Sequence, residues 1–285
     1  MNIKGYKAFD QDFKCRGYQF EVGKTYTNPG ELIMCKSGFH FCLVPIECDH
    51  YYPYNRNTRY AEILAGNNVL YDGDKCVTGE ITIVREINRN EIITLSTGWF
   101  KFNNRQEHWL NGKRHCDGGP AVKYPGRREE WWMNGERHRQ DGPAIKASDD
   151  EEWWLLNGKV HREDGPAIIR SNGCEEWFLN GQKHRKNGPA VKYPNGEEWY
   201  LNGERHRDDG PAIKNIDGEQ WNIHGVIHRT DGPAIQTANG AQTWYLNGRV
   251  HREDGPAMKY VDGREDWWKN GVKIDEPLKM HVVEK

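Results

Sequence analysis

The stretch WYLNGERHRDDGPA, residues 199–212, contains the signals that decide the fold of most of this chain. It opens on an aromatic pair, continues through Asn-Gly and His-Arg, and ends in Asp-Gly-Pro-Ala. Asn-Gly is typical of a tight β-hairpin turn, because both residues tolerate a positive φ. Proline cannot donate a backbone hydrogen bond, so we expect it at the first position of the next strand. The stretch therefore predicts a short antiparallel hairpin.

The same pattern recurs along the chain with a period of 22 or 23 residues. One histidine marks the equivalent position in successive copies, which are His115, His138, His161, His184, His206, His228 and His251. A fixed period of this length is typical of a repeat array, in which each unit packs against its neighbours. We therefore predict about seven hairpin units over residues 96–277, arranged as a single-layer antiparallel β-meander.

The aromatic pair of each unit predicts two columns of side chains, because neighbouring residues on a strand point to opposite faces. The first column, in which we expect ring to stack on ring, is Trp131, Trp177, Trp199, Trp221, Trp244 and Trp267. The second column, on the other face, is Trp109, Trp132, Phe178, Tyr200, Tyr245 and Trp268. Both faces of the predicted sheet are therefore aromatic.

The polar residues of the unit have a structural and a functional interpretation. In the structural one, each histidine packs in its turn while the following arginine pairs with aspartate; the marker residues are His138, Asp141, His161, Asp164, His206, Asp209, His228, Asp231, His251 and Asp254. In the functional one, arginine and aromatic side chains form a binding stripe, a combination common at interaction hot spots. That stripe comprises Trp132, Arg139, Arg162, Phe178, Arg185, Tyr200, Arg207, Arg229, Tyr245 and Arg252.

The repeat unit resembles the MORN repeat, on its W-x-x-G-x-x-H pattern followed by a glycine-containing turn at about 23-residue spacing. It is most similar to a bacterial and viral variant that reads W-x-x-N-G-x-x-H-R-x-D-G-P-A. The resemblance covers roughly residues 99–276 and implies a β-repeat scaffold. Arginine follows the histidine where MORN units usually carry glycine, so the lipid binding of some MORN proteins is not carried over.

Residues 1–95 contain no repeat and predict a small α+β domain. Alternating runs predict strands near residues 18–20, 59–64 and 80–84, and residues 44–52 predict one short helix. The blocks KCRGYQFEVGKTY, SGFHFCLVPIECDHYYP and DGDKCVTGEITIVREI resemble a domain of unknown function at the N-termini of bacteriophage and prophage proteins. This resemblance implies a phage protein that acts in the cytoplasm of a bacterial host.

Two chemical sites can be considered in this domain. A zinc site would use Cys35, His40, Cys42 and Cys48, since thiolate and imidazole are zinc ligands. No C-x2-4-C pair is present, so small buried cysteines are the favoured interpretation, and we expect no metal or cofactor. An enzymatic site would lie around His40, Asp49 and His50, but no complete catalytic constellation accompanies these residues.

Composition narrows the class of protein. The net charge of -2 gives no basic surplus for non-specific nucleic-acid binding. No apolar run approaches the length of a membrane span, and residues 278–285 read as a polar tail. Seven cysteines, an odd number, without a recognisable signal peptide favour reduced thiols in the cytoplasm.

These observations favour a non-enzymatic binding or scaffold protein. The leading hypothesis is that the repeat ribbon docks on a protein partner, a bacterial host protein, and inhibits a defence or toxin component. One alternative is sequestration of a small nucleotide ligand by arginine and tryptophan; another is an enzymatic N-terminal domain. Open sheet edges also predict self-association into a homo-oligomer.

Overall fold

The computed structural model describes residues 2–52, 55, 57–102, 104–147 and 149–275. The predicted polar tail at 278–285 lies outside them. The chain divides into two compact units, Met1–Gln140 with Ala144–Ser148 and Asp141–Pro143 with Asp149–Lys285. The mainly β fold predicted from the sequence is confirmed, and no helix in the described ranges is long and apolar enough to cross a membrane.

The first unit begins with a seven-stranded antiparallel sheet. Its elements are β1 (Ile3–Phe9), β2 (Lys14–Cys15), β3 (Tyr18–Gln19), β4 (Thr25–Thr27), β5 (Phe39–Cys42), a 3-10 helix (Pro45–His50), β6 (Arg59–Ala65), β7 (Val69–Asp72), β8 (Lys75–Thr78), β9 (Glu80–Ile87) and α1 (Arg89–Leu95). The sheet order is β4-β9-β6-β1-β5-β8-β7, and β2 pairs with β3 in a separate hairpin. The short helix predicted at residues 44–52 is therefore a 3-10 helix.

The core of this sheet is aromatic and aliphatic. Phe9 is fully buried and stacks on Phe13 with ring centroids 4.2 Å apart. The same buried cluster takes in Phe102 and Trp109, which lie at the start of the repeats. Burial of each such aromatic ring removes on the order of 150–250 Å² from water. The N-terminal core of the first unit thus includes side chains from the first repeat.

The repeat strands are two to five residues long. In the first unit they are β10 (Gly98–Lys101), β11 (Gln106–Leu110), β12 (Lys113–Arg114), β13 (Val122–Lys123), β14 (Glu129–Glu130), β15 (Trp132–Met133), β16 (Glu136–Arg137) and β17 (Ile145–Lys146). The meander runs β10-β11-β13-β14-β17, while β12 pairs with β11 and β16 with β15.

The second unit repeats this arrangement along its whole length. Its strands are β18 (Glu152–Trp153), β19 (Leu155–Leu156), β20 (Lys159–Val160), β21 (Ile168–Ile169), β22 (Glu175–Glu176), β23 (Phe178–Leu179), β24 (Gln182–Lys183), β25 (Val191–Tyr193), β26 (Gly196–Glu198), β27 (Tyr200–Leu201), β28 (Glu204–Arg205), β29 (Ile213–Asn215), β30 (Gly218–Gln220), β31 (Asn222–Ile223), β32 (Val226–Ile227), β33 (Ile235–Thr237), β34 (Gln242–Thr243), β35 (Tyr245–Leu246), β36 (Arg249–Val250), β37 (Met258–Lys259), β38 (Glu265–Lys269) and β39 (Val272–Ile274). The meander runs β18-β21-β22-β25-β26-β29-β30-β33-β34-β37-β38, and β39 pairs with the end of β38.

Each repeat contains two hairpins, where the sequence predicted one. Trp199 is the corner between them: its N–H donates to the Ala212 carbonyl at 2.7 Å, and its carbonyl accepts the His206 N–H at 3.1 Å. The chain then leaves the meander and forms a small hairpin, β27–β28, whose turn has φ of 52° at Asn202 and 85° at Gly203. The positive φ pair predicted for Asn-Gly is therefore present, but it closes the small hairpin.

The proline of the unit lies ahead of the strand that it was predicted to begin. Pro211 is followed by Ala212, and β29 starts at Ile213. Proline lacks the N–H that a strand position would donate, whereas its carbonyl accepts a hydrogen bond from Arg207 Nη1 at 3.4 Å. Pro211 therefore stabilises the repeat through its carbonyl acceptor and through its fixed φ.

The meander has one face lined by charged residues and one face on which apolar residues alternate with acidic or amide residues. Directly paired positions on the charged face alternate in sign through Lys192, Glu197, Lys214 and Glu219. Lys214 Nζ lies 2.9 Å from Glu219 Oε1. Val191 and Ile213 lie on the opposite face, so a slip of one residue would move them into the charged row. The alternation of charge and hydrophobicity therefore fixes the strand register.

Candidate functional site

In six successive repeats the arginine that follows the histidine lies over the indole of the same repeat. The distances from guanidinium Cζ to ring centroid are 4.2 Å for Arg139 on Trp131, 3.8 Å for Arg162 on Trp154, 3.9 Å for Arg185 on Trp177, 4.0 Å for Arg207 on Trp199, 4.0 Å for Arg229 on Trp221 and 4.2 Å for Arg252 on Trp244. In the described ranges no two indole rings are in contact, which differs from the predicted stacking. Equivalent positions lie two strand spacings apart, about 9.6 Å, which is too far for rings to meet.

The same guanidinium is held by an aspartate and a backbone carbonyl. Arg207 Nε donates to Asp209 Oδ1 at 2.9 Å, and the arginine lowers the pKa of that carboxyl below its ordinary value. Equivalent ion pairs join Arg162 to Asp164, Arg229 to Asp231 and Arg252 to Asp254. We call this arrangement of tryptophan, arginine and aspartate the clamp of the repeat. A ligand that used the predicted arginine stripe would have to compete with the clamp.

The aromatic residues predicted for the stripe lie on the side of the sheet that carries acidic residues. Tyr200 donates its hydroxyl hydrogen to Glu198 Oε2 at 2.7 Å, and Trp132 Nε1 donates to Glu130 Oε2 at 3.2 Å. Burial alone would raise the pKa of Glu130, yet the adjacent Arg137 holds it below its ordinary value. These rings and those of Phe178 and Tyr245 are partly buried. They form part of the packing of the repeat.

The histidines join each repeat to the next. Within the first unit the Asn134 N–H donates to His115 Nδ1 at 3.1 Å. Within the second unit the corresponding pairs are Asn180 with His161, Asn202 with His184, His224 with His206, Asn247 with His228 and Asn270 with His251, at 3.1 to 3.2 Å. An imidazole nitrogen that accepts carries no proton, so the neutral ring is protonated on Nε2.

Two backbone hydrogen bonds accompany each histidine bond. At the junction of His184 with Asn202, Gly203 N–H donates to the Lys183 carbonyl at 2.9 Å, and Arg185 N–H donates to the Tyr200 carbonyl at 3.1 Å. A Cβ added at Gly203 would lie 3.7 Å from the Gln182 side chain, so neighbouring small hairpins pack closely. The small hairpins of the second unit therefore form a continuous row.

That row carries a column of apolar side chains which the sequence analysis missed. In the second unit the residue before the turn is apolar and partly exposed in five successive small hairpins, and it is the exposed Lys269 in the last one; the five are Leu156, Leu179, Leu201, Ile223 and Leu246. We call this column the leucine stripe. On its hairpin Leu201 pairs with the exposed Glu204, and it alternates with Tyr200, which contacts Glu198. The available signal was an apolar residue immediately before Asn-Gly in nearly every copy.

The zinc candidates of the N-terminal domain are brought together in two pairs. Cys35 donates its backbone N–H to His40 Nε2 at 2.9 Å, while Cys42 and Cys48 are buried free thiols whose side chains are hydrogen-bonded to each other. Across the described ranges, no three His, Cys, Asp or Glu residues are grouped so as to hold a metal ion. Of the other candidates for an enzymatic site, Asp49 accepts from Tyr60 at 2.7 Å, whereas His50 Nδ1 lies 2.9 Å from Asp74 Oδ2.

Residues 3–95 match a family described as a domain of unknown function, DUF7666. The match covers about the N-terminal third of the chain and carries no activity with it. No curated protein matches this sequence.

Proposed function

We propose that the repeat array is a non-catalytic scaffold that binds a protein partner through the leucine stripe. The observation that carries this proposal is the regular row of partly exposed apolar side chains, in which Leu156, Leu201 and Leu246 pair with the exposed charged residues Lys159, Glu204 and Arg249. An apolar centre with a polar rim is the usual anatomy of a protein interface. The clamps and junctions hold the arginine and histidine side chains of the repeat in internal contacts, so the stripe is presented on a preorganised frame.

The proposed kind of partner is inferred from the resemblance of the sequence to phage proteins. A phage protein in a bacterial cytoplasm would meet host proteins, and inhibition of a defence or toxin component is the role that we propose. Equivalent stripe positions recur about every 9.6 Å, which suits an extended partner such as a helix or a second repeat surface. Replacing one central leucine would then affect more than one contact.

Affinity capture from a bacterial lysate tests the proposal with matched variants of the full chain. The double variant Leu179→Gln, Leu201→Gln removes the centre of the stripe, and the control Lys192→Gln, Lys214→Gln changes exposed residues of the meander. We expect one stoichiometric protein with the wild type and the control, and its loss with the stripe variant. Equal recovery with both variants, or no stoichiometric protein at all, would refute the proposal.

A further inference from the structure

The N-terminal domain of the first unit contains a cavity of about 580 Å³. Its walls come from β1 and β5, from the β2–β3 hairpin, from residues 27–38 and from the 3-10 helix. Cavities of about 300–1,000 Å³ are the usual size of small-ligand sites. The proposed scaffold function of the repeats makes no use of this cavity.

Four cationic side chains line the cavity, and no Asp or Glu does. The cations are Lys7, Arg16, Lys36 and Lys75. In the described part of the chain none of them has a carboxylate oxygen within 4.0 Å, although many other cations of the domain do, such as Lys4 with Glu62. Uncompensated charge of one sign in a concave site raises the local concentration of an oppositely charged ligand. The charges that line the cavity therefore favour binding of an anionic ligand.

The ammonium group of Lys7 is buried, and its hydrogen-bonding capacity is only partly used. The residue is 5% exposed, and its ammonium donates to the His40 carbonyl at 2.8 Å. That carbonyl is its one hydrogen-bond acceptor among the described residues, whereas an ammonium has three donors. Lys7 Nζ also lies 5.7 Å from the ring centroids of Phe9 and Phe20, but a buried charge with donors left unpaired is costly, so these donors favour an anionic partner. Lys7 lines the cavity in which that partner would lie.

The pKa of His40, another residue of the cavity wall, is affected by the cavity's positive charge. Burial, followed by the positive charges of Lys7, Lys75 and Arg16, lowers its pKa to about 4. The ring is therefore neutral near pH 7, with Nε2 accepting the Cys35 N–H. Its suppressed protonation agrees with a cavity that repels added positive charge.

The cavity also offers aromatic surface. Tyr18 is 50% exposed at the tip of the β2–β3 hairpin, and its ring centroid lies 5.1 Å from that of Phe20 and 6.0 Å from that of Phe39. Tyr51 lies under Lys75 Nζ at 4.0 Å from the ring centroid. Exposed aromatic rings beside cations stack on flat heterocycles while the cations bind phosphate.

We propose that this cavity binds a nucleoside phosphate, with the phosphate beside Lys7, Arg16 and Lys75 and the base against Tyr18. The combination of an unpaired cationic cluster with an exposed ring favours this class over a simple inorganic anion, which would leave the ring unused. It also favours a small ligand, because Lys7 is buried at the cavity wall.

Calorimetry on the full chain tests the proposal with the four nucleoside 5′-monophosphates, adenosine, inorganic phosphate and a ten-nucleotide single strand. We expect at least one monophosphate to bind with a Kd of about 100 µM or tighter, and at least about tenfold more tightly than adenosine or phosphate. The binding should weaken as salt is raised. Absence of binding by every monophosphate, equal binding of adenosine, or tighter binding of the single strand would overturn it.

Matched variants locate the binding. Lys7 is buried, so the variants Arg16→Gln and Lys75→Gln are used in its place, with Lys24→Gln as the control, because Lys24 is exposed and outside the cavity. We expect each cavity variant to weaken monophosphate binding about tenfold and the control to leave it unchanged, with all three melting like the wild type. Tyr18→Ala should weaken the nucleotide but not phosphate. Equal affinity in all variants would overturn the assignment.

Discussion

Two glutamates of the first unit, Glu47 and Glu107, are each 1% exposed and have opposite environments. Glu107 accepts hydrogen bonds from Trp109 Nε1 at 3.0 Å and Arg114 Nε at 2.9 Å, and also from Arg105. Among the described residues, neither carboxyl oxygen of Glu47 has a hydrogen-bond partner, and Arg114 Nη2 is 3.9 Å from Oε1. We therefore predict that Glu47→Gln stabilises the first unit, whereas Glu107→Gln destabilises it.

The magnitude follows from the pKa of Glu47. Burial, followed by the negative charge of Glu107, raises it from 4.5 to about 9. The folded chain thus keeps a proton that the unfolded chain releases above pH 4.5, so the stability of the first unit falls as the pH rises from 4.5 towards 9. At pH 7 this linkage amounts to on the order of 3 kcal/mol, which glutamine removes because it does not titrate.

The assay is hydrogen exchange by mass spectrometry at pH 5, 7 and 8.5, corrected for intrinsic rates, because a repeat array need not unfold in one step. We expect Glu47→Gln to slow exchange of the 3-10 helix and β11 at pH 7 and to flatten its pH dependence. Glu107→Gln leaves its partners unpaired and should cost about 2–4 kcal/mol. Faster exchange in both variants, or an unchanged pH slope in Glu47→Gln, would refute the reasoning.

Two further predictions concern histidines. His228→Gln removes the Nδ1 acceptor of the Asn247 N–H and should weaken that junction by about 1 kcal/mol, whereas His228→Asn places a carbonyl oxygen near Nδ1 and should restore it. Exchange of the Asn247 amide measures this, and identical rates in both variants would contradict it. The pKa of His40 is lowered from 6.5 to about 4, so between these pH values the unfolded chain binds a proton at His40 and the folded chain does not. Stability of the N-terminal sheet should fall as the pH drops from 6.5 towards 4, and His40→Gln should remove that slope; a slope equal to the wild type would argue against the assignment.

The period and the turns were predictable because they depend on local chemistry. Asn202 and Gly203 have the positive φ values that their dipeptide predicts, and side chains on the meander alternate between faces as expected. The second hairpin was not predictable, since it depends on the corner at Trp199, where the chain bonds to Ala212 of its neighbour. The order of residue types in the repeat does not show whether a given strand belongs to the meander or to the small hairpin.

The candidate sites also divide into those that could be predicted from local sequence and those that could not. The pairing of Arg207 with Asp209 spans two residues and could be proposed from spacing alone. The predicted stacking of tryptophans could have been excluded from the general strand spacing, which places equivalent residues of successive repeats about 9.6 Å apart. The N-terminal cavity gave no sequence signal, because Lys7, Arg16 and Lys75 come from different strands and loops and form no motif.

The histidine junctions also give the array a polarity. One unit offers the acceptor and the following unit supplies the donor, much as the head of one monomer meets the tail of the next in a polymer. A duplicated unit brings both ends with it, so the length of the array can change by whole units. Ile274, opposite Trp267 in the last described hairpin, has a hydrocarbon side chain at the position of the histidine, so it offers no side-chain acceptor for the backbone of a further unit.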